Sequence, residues 1–217
     1  MPPVLVIGNK AYSSWSLRPW ILLAAFGIPF EEKVIPLYRE DSKKRLLKYS
    51  PAGMVPALID GDVTVYESLA IVEYIAEKYP RKAIWPKDAA ARAHARSISA
   101  EMHAGFQALR AHCPTNFRRA PKQRDLTPEA EANVARIERI WAAARKKCGE
   151  GGPFLFGDFC AADAMFAPVA NRIHVYEIPV SKASRAWVDA LLALSAYRAW
   201  IADGAKEPWE IPTYDNI

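Results

Sequence analysis

Residues 53–79 read GMVPALIDGDVTVYESLAIVEYIAEKY. Two runs rich in β-forming residues, 56–59 and 63–66, flank an Asp-Gly-Asp at 60–62. A glycine between two aspartates readily adopts the positive φ of a tight turn, so this pattern predicts a β-hairpin. The first half of the stretch is therefore interpreted as a strand pair.

A helix is predicted directly after the hairpin. Its apolar residues recur three and four positions apart, as one face of a helix requires: Leu69, Val72, Ile75 and Tyr79. The helix starts at Glu67 and Ser68, and a helix start presents unpaired N–H groups and partial positive charge that can receive a carboxylate. Ser68 can add a hydroxyl donor and Glu67 can accept from an ammonium, so the pair suits the zwitterionic end of an α-amino acid. The alternative is that either residue only caps the helix.

The residues before this stretch predict a strand, a helix and a second strand. Residues 3–8 form a short β run, a helical pattern ends at Gly27, and residues 30–37 are again β-rich. The polar loop 9–16 then lies at the amino end of the first helix, where strand–helix–strand arrangements place their ligand sites. We therefore expect the chemistry of the protein in this loop.

Val55-Pro56 resembles the Val-Pro of thioredoxin-fold proteins, in which a cis proline follows a residue that offers its backbone N–H and C=O to a peptide. Val-Pro, hairpin, Glu-Ser and helix, in this order and spacing, resemble the glutathione-binding half of the cytosolic glutathione transferases. The resemblance implies glutathione as co-substrate, bound through Val55, Pro56, Glu67 and Ser68. It also suggests that Lys43 reaches a glutathione carboxylate, the alternative being a solvated lysine.

Residues 13–18, SSWSLR, resemble the Ser-Ser-Cys-Ser-x-Arg start of zeta-class glutathione transferases, whose members include maleylacetoacetate isomerases. Residue-by-residue alignment with that class places its catalytic serine on Ser13. Theta-like enzymes use a serine four residues before an arginine, which points to Ser14. We rank Ser13 first and leave Ser14 open, and for either residue the alternative is a helix-capping role.

The resemblance implies that one of these hydroxyls contacts the sulfur of bound glutathione. A thiol of pKa about 8.5 is only a few per cent ionised at neutral pH, and a hydroxyl donor beside a helix amino terminus favours the thiolate. Trp15 stands where the zeta pattern has cysteine, which weakens the isomerase interpretation. Tyr12 is a further candidate, since some classes use tyrosine.

The second half of the chain has a different sequence pattern. Residues 81–87 show no sustained periodicity and predict a linker between a first domain, 1–80, and a second domain, 88–217. Helical patterns fill the second domain, at 90–112, 128–148, 161–173, 184–194 and 196–202. This resembles the all-helical second domain of glutathione transferases. The fold class implied is a thioredoxin-like α/β domain followed by an all-α domain.

The resemblance places the pocket for an acceptor substrate between the loop 9–16 and the helix 90–112. The candidate substrate contacts are Trp15, Phe106, Gln107 and Arg110. For the apolar positions the alternative is core or dimer packing. Arg110 and Arg172 lie on largely apolar faces, so each either pairs with an acidic substrate or forms a structural ion pair.

The segment 154–163 resembles the folding motif of this family, in which Ser or Thr caps a buried helix and an Asp three residues later completes a capping box. Asp163 fits that pattern. Cys160 does not, because a thiol is a weak acceptor. We expect either an impaired box or compensation by Asp163.

The composition of the chain limits the classes of protein to which it can belong. The chain has 217 residues, 51% of them hydrophobic, a net charge of +5 and a pI near 9.1. The positive charge is scattered and lacks interleaved aromatics, which argues against nucleic acid as a partner, while no apolar run is long enough to span a bilayer. The amino terminus lacks signal-peptide features, so we expect a cytoplasmic protein. Three widely spaced cysteines predict neither disulfides nor a metal site.

These observations favour a glutathione S-transferase that conjugates glutathione to a small electrophile, without a metal, as a homodimer. One alternative is a zeta-type glutathione-dependent isomerase of a conjugated diacid. Another is a non-enzymatic member of the fold that acts as a binding or regulatory module.

Overall fold

The computed structural model describes residues 1–217, and a four-stranded sheet forms the centre of the first domain. The strands are β1 (Val4–Ile7), β2 (Glu31–Val34), β3 (Ala57–Asp60) and β4 (Val63–Tyr66). They lie in the order β2-β1-β3-β4. β1 runs parallel to β2 and antiparallel to β3, and β3 runs antiparallel to β4. The predicted hairpin is confirmed: Asp60 pairs with Val63, and Gly61 between them has φ +60.

Three helices complete this domain: α1 (Ser14–Ala25), α2 (Ser42–Leu46) and α3 (Ser68–Lys78). Leu5, Ile7 and Leu58 point from one face of the sheet into the main core, which also contains the apolar faces of α1 and α3. On the other face Val6 and Ala57 form a small cluster with Leu46 of α2. The alternation of strand side chains thus covers both faces of the sheet.

The second half is helical. Its helices are α4 (Ala89–Ala104), α5 (Gln107–His112), α6 (Pro128–Cys148), α7 (Ala161–Val175), α8 (Lys182–Ala193), α9 (Ser195–Gly204) and α10 (Pro212–Asp215). The expected thioredoxin-like domain followed by a helical domain is confirmed. None of the helices is both long and apolar enough to cross a membrane. Residues 79–88 have no helix or strand, and we propose that 81–87 is the linker.

The single helix predicted over 90–112 is wrong. Gly105 is extended and Phe106 is left-handed, with φ 64, so the chain breaks into α4 and α5 at this point. A break here buries the Phe106 ring, which is only 7% exposed, in the core. Periodicity did not show it, because the apolar spacing continues across the break.

The helix α7 is buried along almost its whole length, with His174 as its one exposed residue. It packs against α1, α4 and α8, and the Arg18 Nε of α1 donates to the Met165 carbonyl at 3.1 Å. Because α1 and α7 belong to different halves of the chain, this contact fixes the two halves to each other.

Asp163 anchors the start of α7. Its carboxylate accepts from the Leu155 N–H at 3.0 Å, the Cys160 N–H at 3.0 Å and the Trp187 Nε1 at 2.8 Å. Burial raises the pKa of Asp163, while these three donors oppose the rise. The expected compensation is therefore present: Asp163 satisfies the cap backbone and ties α7 to α8.

Replacement of Asp163 by Ala should lower the free energy of unfolding by about 2–4 kcal/mol, because three buried donors lose their acceptor. Chemical denaturation followed by circular dichroism measures this. The control is Asp158→Ala, since Asp158 is exposed and its carboxylate makes no hydrogen bond, and it should change stability by about 0.5 kcal/mol or less. Equal effects of the two substitutions would contradict the anchoring role.

Candidate functional site

A cavity of about 490 Å³ lies between the two domains. The first domain contributes residues 12–15 at the start of α1, the segment around α2, and residues 53–55 before β3. The second domain contributes Arg110, Pro114, Thr115, Arg172 and Tyr214. The cavity thus contains the loop in which the sequence predicted chemistry.

Ser13 and Ser14 both line this cavity, but their hydroxyls are in different states. Ser13 caps α1: its Oγ accepts from the Ser16 N–H at 3.3 Å and donates to the Ser16 Oγ at 2.8 Å. The Ser16 Oγ also accepts from the Gly8 N–H at 3.0 Å. The Ser14 hydroxyl makes no hydrogen bond within the chain. Ser14 therefore offers the free donor at this helix start, although Ser13 ranked first on sequence.

The C-terminal segment, residues 203–217, holds the loop before α1. The Glu207 carboxylate accepts from the backbone N–H groups of Lys10 at 2.7 Å and Ala11 at 2.9 Å. The Lys10 Nζ forms ion pairs with Glu32 and Asp203, each at 2.7 Å. Lys10 is only 4% exposed, so the cationic end of both pairs is shielded from solvent, and the two pairs together fix the loop geometry.

Tyr12 lines the cavity with its ring, but its hydroxyl is engaged. It donates to the Asp215 carboxylate and accepts from Arg118 and from the Ile211 N–H. Burial raises the pKa of Tyr12, and the bond to Asp215 raises it further. The phenol therefore stays protonated at neutral pH and is committed to the C-terminal segment.

Val55 precedes a cis peptide bond to Pro56, as the resemblance implied. Val55 lines the cavity, and neither its N–H nor its C=O forms a hydrogen bond within the chain. Lys43 also lines the cavity; it is exposed and has no salt-bridge partner. Pro56 itself is buried and does not line the cavity.

Glu67 and Ser68 lie outside the cavity lining. Ser68 is fully buried and its Oγ has no hydrogen-bond partner. Glu67 has a positive φ of 73, and its Oε2 lies 3.6 Å from the His103 Nε2. Burial and the charge of Arg18 lower the pKa of His103, so the imidazole is neutral at pH 7 and the contact is weak. His103 packs edge-on against the Trp15 ring, which links this pair of residues to the cavity.

Two of the predicted substrate contacts lie elsewhere. Phe106 is a core residue, as described above, and the Gln107 side chain is exposed and donates to the Ala104 carbonyl at 2.9 Å. The break between α4 and α5 is the reason, because it turns both side chains away from the face that a continuous helix would present. Trp15 and Arg110 do line the cavity.

Three lining residues had no signal in the sequence: Tyr38, Thr115 and Tyr214. The hydroxyl groups of Tyr38 and Tyr214 form a hydrogen bond of 2.8 Å, although 176 positions separate the two residues in the chain. Thr115 is 3% exposed and its Oγ1 has no hydrogen-bond partner. All three lie outside the periodic segments or in the short α10, so no pattern could mark them.

Comparison with known proteins agrees with this geometry. A family model described as "Glutathione S-transferase, N-terminal domain" matches residues 12–78. The chain is 41% identical over 108 residues to a probable maleylacetoacetate isomerase of Caenorhabditis elegans, an alignment that spans about half of each protein, 49%. It is 27% identical over 186 residues to glutathione S-transferase Z2 of Arabidopsis thaliana, covering 81% of this chain and 83% of the relative.

Solved structures show the same architecture over nearly the whole chain. A glutathione transferase homolog from Burkholderia gl BGR1 with bound glutathione superposes with a TM-score of 0.72 at 25% identity, covering 95% of this chain and all of the other (100%). Human glutathione-S-transferase T1-1 in its apo form has a TM-score of 0.66 at 23% identity, covering 98% and 94% of the two chains. The similarity to the human protein shows a shared fold only.

Replacement of Tyr12 by Phe should lower the free energy of unfolding by about 1–2 kcal/mol, because the Asp215 carboxylate loses a donor and the Arg118 guanidinium loses an acceptor. Urea denaturation measures the change. Tyr79→Phe serves as the control, since the Tyr79 side chain is partly exposed and its hydroxyl makes no hydrogen bond. If both variants unfold at the same denaturant concentration as the parent, Tyr12 does not tie the loop to the C-terminal segment.

Proposed function

The chain belongs to the cytosolic glutathione S-transferase family, near its zeta class, and on this premise we propose that it binds glutathione and conjugates it to a small electrophile. One observation carries the proposal: a free serine hydroxyl, a helix start and an unpaired peptide backbone line the same cavity. These are the three groups that a tripeptide thiol requires.

Val55 supports binding of the peptide. Its N–H and C=O lack partners in the chain, and a residue with both groups free can pair with an extended peptide as a neighbouring strand does. Lys43 lies beside the same part of the cavity and carries an unpaired positive charge toward a glutathione carboxylate.

The Ser68 hydroxyl supports binding of the γ-glutamyl end. It is buried without a partner at the start of α3, where backbone N–H groups are also unpaired. A carboxylate placed there would satisfy both, and the Glu67 carboxylate one residue earlier would accept from the ammonium group. Since Ser68 is fully buried, this part of the proposal requires that the side chains covering it move when glutathione binds.

We assign activation of the thiol to Ser14. Its hydroxyl donates to the sulfur, while the free N–H of Trp15 and the positive end of α1 favour the thiolate over the thiol. Each unit by which the thiol pKa falls corresponds to about 1.4 kcal/mol. The thiol proton passes to solvent, and the thiolate then attacks the electrophilic carbon, so that a C–S bond forms while the bond to a leaving group breaks and that group departs with the bonding electron pair. Ser13, whose hydroxyl caps the helix, positions the loop.

The isomerase alternative draws on the likeness to the nematode relative, and the replacement of the zeta cysteine by Trp15 weakens it. The non-enzymatic alternative predicts binding without turnover. Retention on immobilised glutathione, followed by a conjugation assay with 1-chloro-2,4-dinitrobenzene, separates a conjugating enzyme from a protein that only binds glutathione. The absence of binding heat in calorimetry at millimolar glutathione would overturn the proposal. The expected homodimer is measured in the same preparation by sedimentation.

Replacement of Ser14 by Ala should lower kcat/KM for conjugation by about 100-fold, the usual effect of removing one donor to a developing or full anion. The thiol pKa of bound glutathione, read from thiolate absorbance against pH, should rise toward its value in water. Activity that depends on the thiolate should shift to higher pH accordingly.

The matched control is Ser13→Ala. Loss of an N-cap costs about 1 kcal/mol of stability, so this variant should unfold earlier while the thiol pKa changes less than in Ser14→Ala. If Ser13→Ala alone abolishes activity and raises the thiol pKa, the sequence ranking of Ser13 is right and the assignment to Ser14 is wrong.

A further inference from the structure

The loop before α1 takes its backbone partners at Lys10 and Ala11 from the second domain. The two oxygens of the Glu207 carboxylate accept separately, Oε1 from the Lys10 N–H at 2.7 Å and Oε2 from the Ala11 N–H at 2.9 Å. The Ala11 carbonyl accepts from the Phe117 N–H at 2.8 Å. Ala11 thus directs both of its backbone polar groups to the second domain, three positions before Ser14.

A close packing contact accompanies these hydrogen bonds. Gly204, the last residue of α9, is buried against the same part of the loop. A Cβ atom at Gly204 would lie 3.1 Å from the Ala11 nitrogen and 3.2 Å from the Lys10 carbonyl carbon. Since nonbonded atoms pack at about 3.5–4.0 Å, a side chain at this position would press on the loop. The second domain therefore holds the loop by shape as well as by hydrogen bonds.

Glu207 is itself held in place. Its backbone carbonyl accepts from the Arg118 Nη1 at 3.0 Å, and the same guanidinium donates to the Trp209 carbonyl at 2.8 Å. Burial raises the pKa of the Glu207 carboxyl, whereas the two backbone N–H donors and the nearby cationic side chains oppose the rise. The carboxyl is therefore ionised at neutral pH, and both of its oxygens accept. An amide could not replace it, because an amide has one acceptor oxygen and its NH2 group repels an N–H donor.

We propose that Glu207 is a positioning residue for the conjugation reaction: its carboxylate holds the loop so that the Ser14 hydroxyl lies at the glutathione sulfur. This inference rests on the proposed function and adds to it a residue of the second domain. Glu207 does not line the cavity, so it acts through the loop. Three residues span at most about 10 Å, and the Ser13 N–H is bonded to the Asn9 carbonyl at 2.8 Å, so a shift of Ala11 passes to the serines.

A displaced hydroxyl should impair the reaction more than the binding of glutathione. A misplacement of about 1 Å between reacting groups lowers a rate by up to about 100-fold. Val55 and Lys43, which are assigned to the rest of glutathione, belong to other segments of the cavity wall. Loss of the Glu207 contact should therefore lower kcat and raise the thiol pKa of bound glutathione, while the KM of glutathione changes little.

The first test is Glu207→Gln, with Glu210→Gln as the control of equal charge change, since Glu210 is exposed in the same segment and its carboxylate makes no hydrogen bond. With 1-chloro-2,4-dinitrobenzene, kcat should fall about tenfold to hundredfold in Glu207→Gln, and the thiol pKa should rise by about one unit. Glu210→Gln should match the parent protein. If Glu207→Gln only loses stability, with the parental kcat and thiol pKa in its folded fraction, the proposal is overturned.

The sign of the pKa change separates position from charge. Removal of a negative charge by itself favours the thiolate and lowers the thiol pKa, whereas displacement of the hydroxyl donor raises it. Glu207→Asp keeps the charge, but its side chain is one methylene shorter and does not reach both N–H groups. We expect a raised thiol pKa in the Asp and the Gln variant alike. A lowered thiol pKa in Glu207→Gln with a parental value in Glu207→Asp shows an effect of charge alone and overturns the proposal.

Gly204→Ala tests the same contact without changing any polar group, so it remains informative if the Glu207 variants do not fold. The added methyl group presses on Lys10 and Ala11, and the thiol pKa should rise. Ala202→Ser, on the exposed part of α9, is the control and should leave the thiol pKa unchanged. An unchanged thiol pKa in Gly204→Ala overturns the proposal.

Amide hydrogen exchange distinguishes failure of this inference from failure of the proposed function. If the parent protein binds no glutathione, the proposed function fails, and exchange alone decides whether Glu207 positions the loop. The Ser13 and Leu17 N–H groups, bonded to the carbonyls of Asn9 and Ser13, should exchange about tenfold faster in Glu207→Gln than in Glu210→Gln. Equal exchange in the two variants overturns the positioning role.

Discussion

The arrangement of the site depends on the buried carboxylate of Asp163 and its three donors. They start α7 at a fixed point and tie it to α8. Because α7 carries both the Met165 carbonyl that receives Arg18 and the Arg172 side chain at the cavity, the position of α7 sets the two sides of the site. A single buried acid in the second domain thereby helps to fix where the amino end of α1 lies in the first.

The sequence predicted correctly those helices and strands whose start or end is set by residues next to them in the chain. The hairpin at Gly61 was predicted from its turn residues, and the start of α6 was predicted because Thr127 caps the helix and Pro128 begins it. The second strand was predicted over 30–37 but ends at Val34. The Ile35 N–H still donates to the Ile7 carbonyl, whereas the Leu37 N–H donates to the Asn9 side chain, so the backbone ladder stops there. The break at Phe106 has a tertiary cause, the burial of its ring, and left no trace in the periodicity.

Part of the candidate site was also predicted, because sequence patterns mark the ends of helices and strands. The serine loop and Val55 lie at helix and strand ends that sequence patterns mark, so their proximity followed from topology. Ser14 has the free hydroxyl because the Ser13 hydroxyl bonds to the Ser16 N–H and Oγ, and no spacing in the sequence encodes which serine does so. Thr115 and Tyr214 enter the cavity from a loop and from the short α10, and only the packing of the whole chain brings them there.

Arg110 and Arg172 show how a protein can hold cations at a cavity wall without pairing them with carboxylates. Arg110 donates to the carbonyls of Met102 and Gly105 at the end of α4, and Arg172 to those of Cys113 and Pro168. The Met102, Gly105 and Cys113 carbonyls lie at helix ends and carry partial negative charge, so these backbone dipoles replace part of the lost hydration. A dipole solvates a cation but does not cancel its charge. The interior therefore keeps a positive potential that is available to whichever small anion enters.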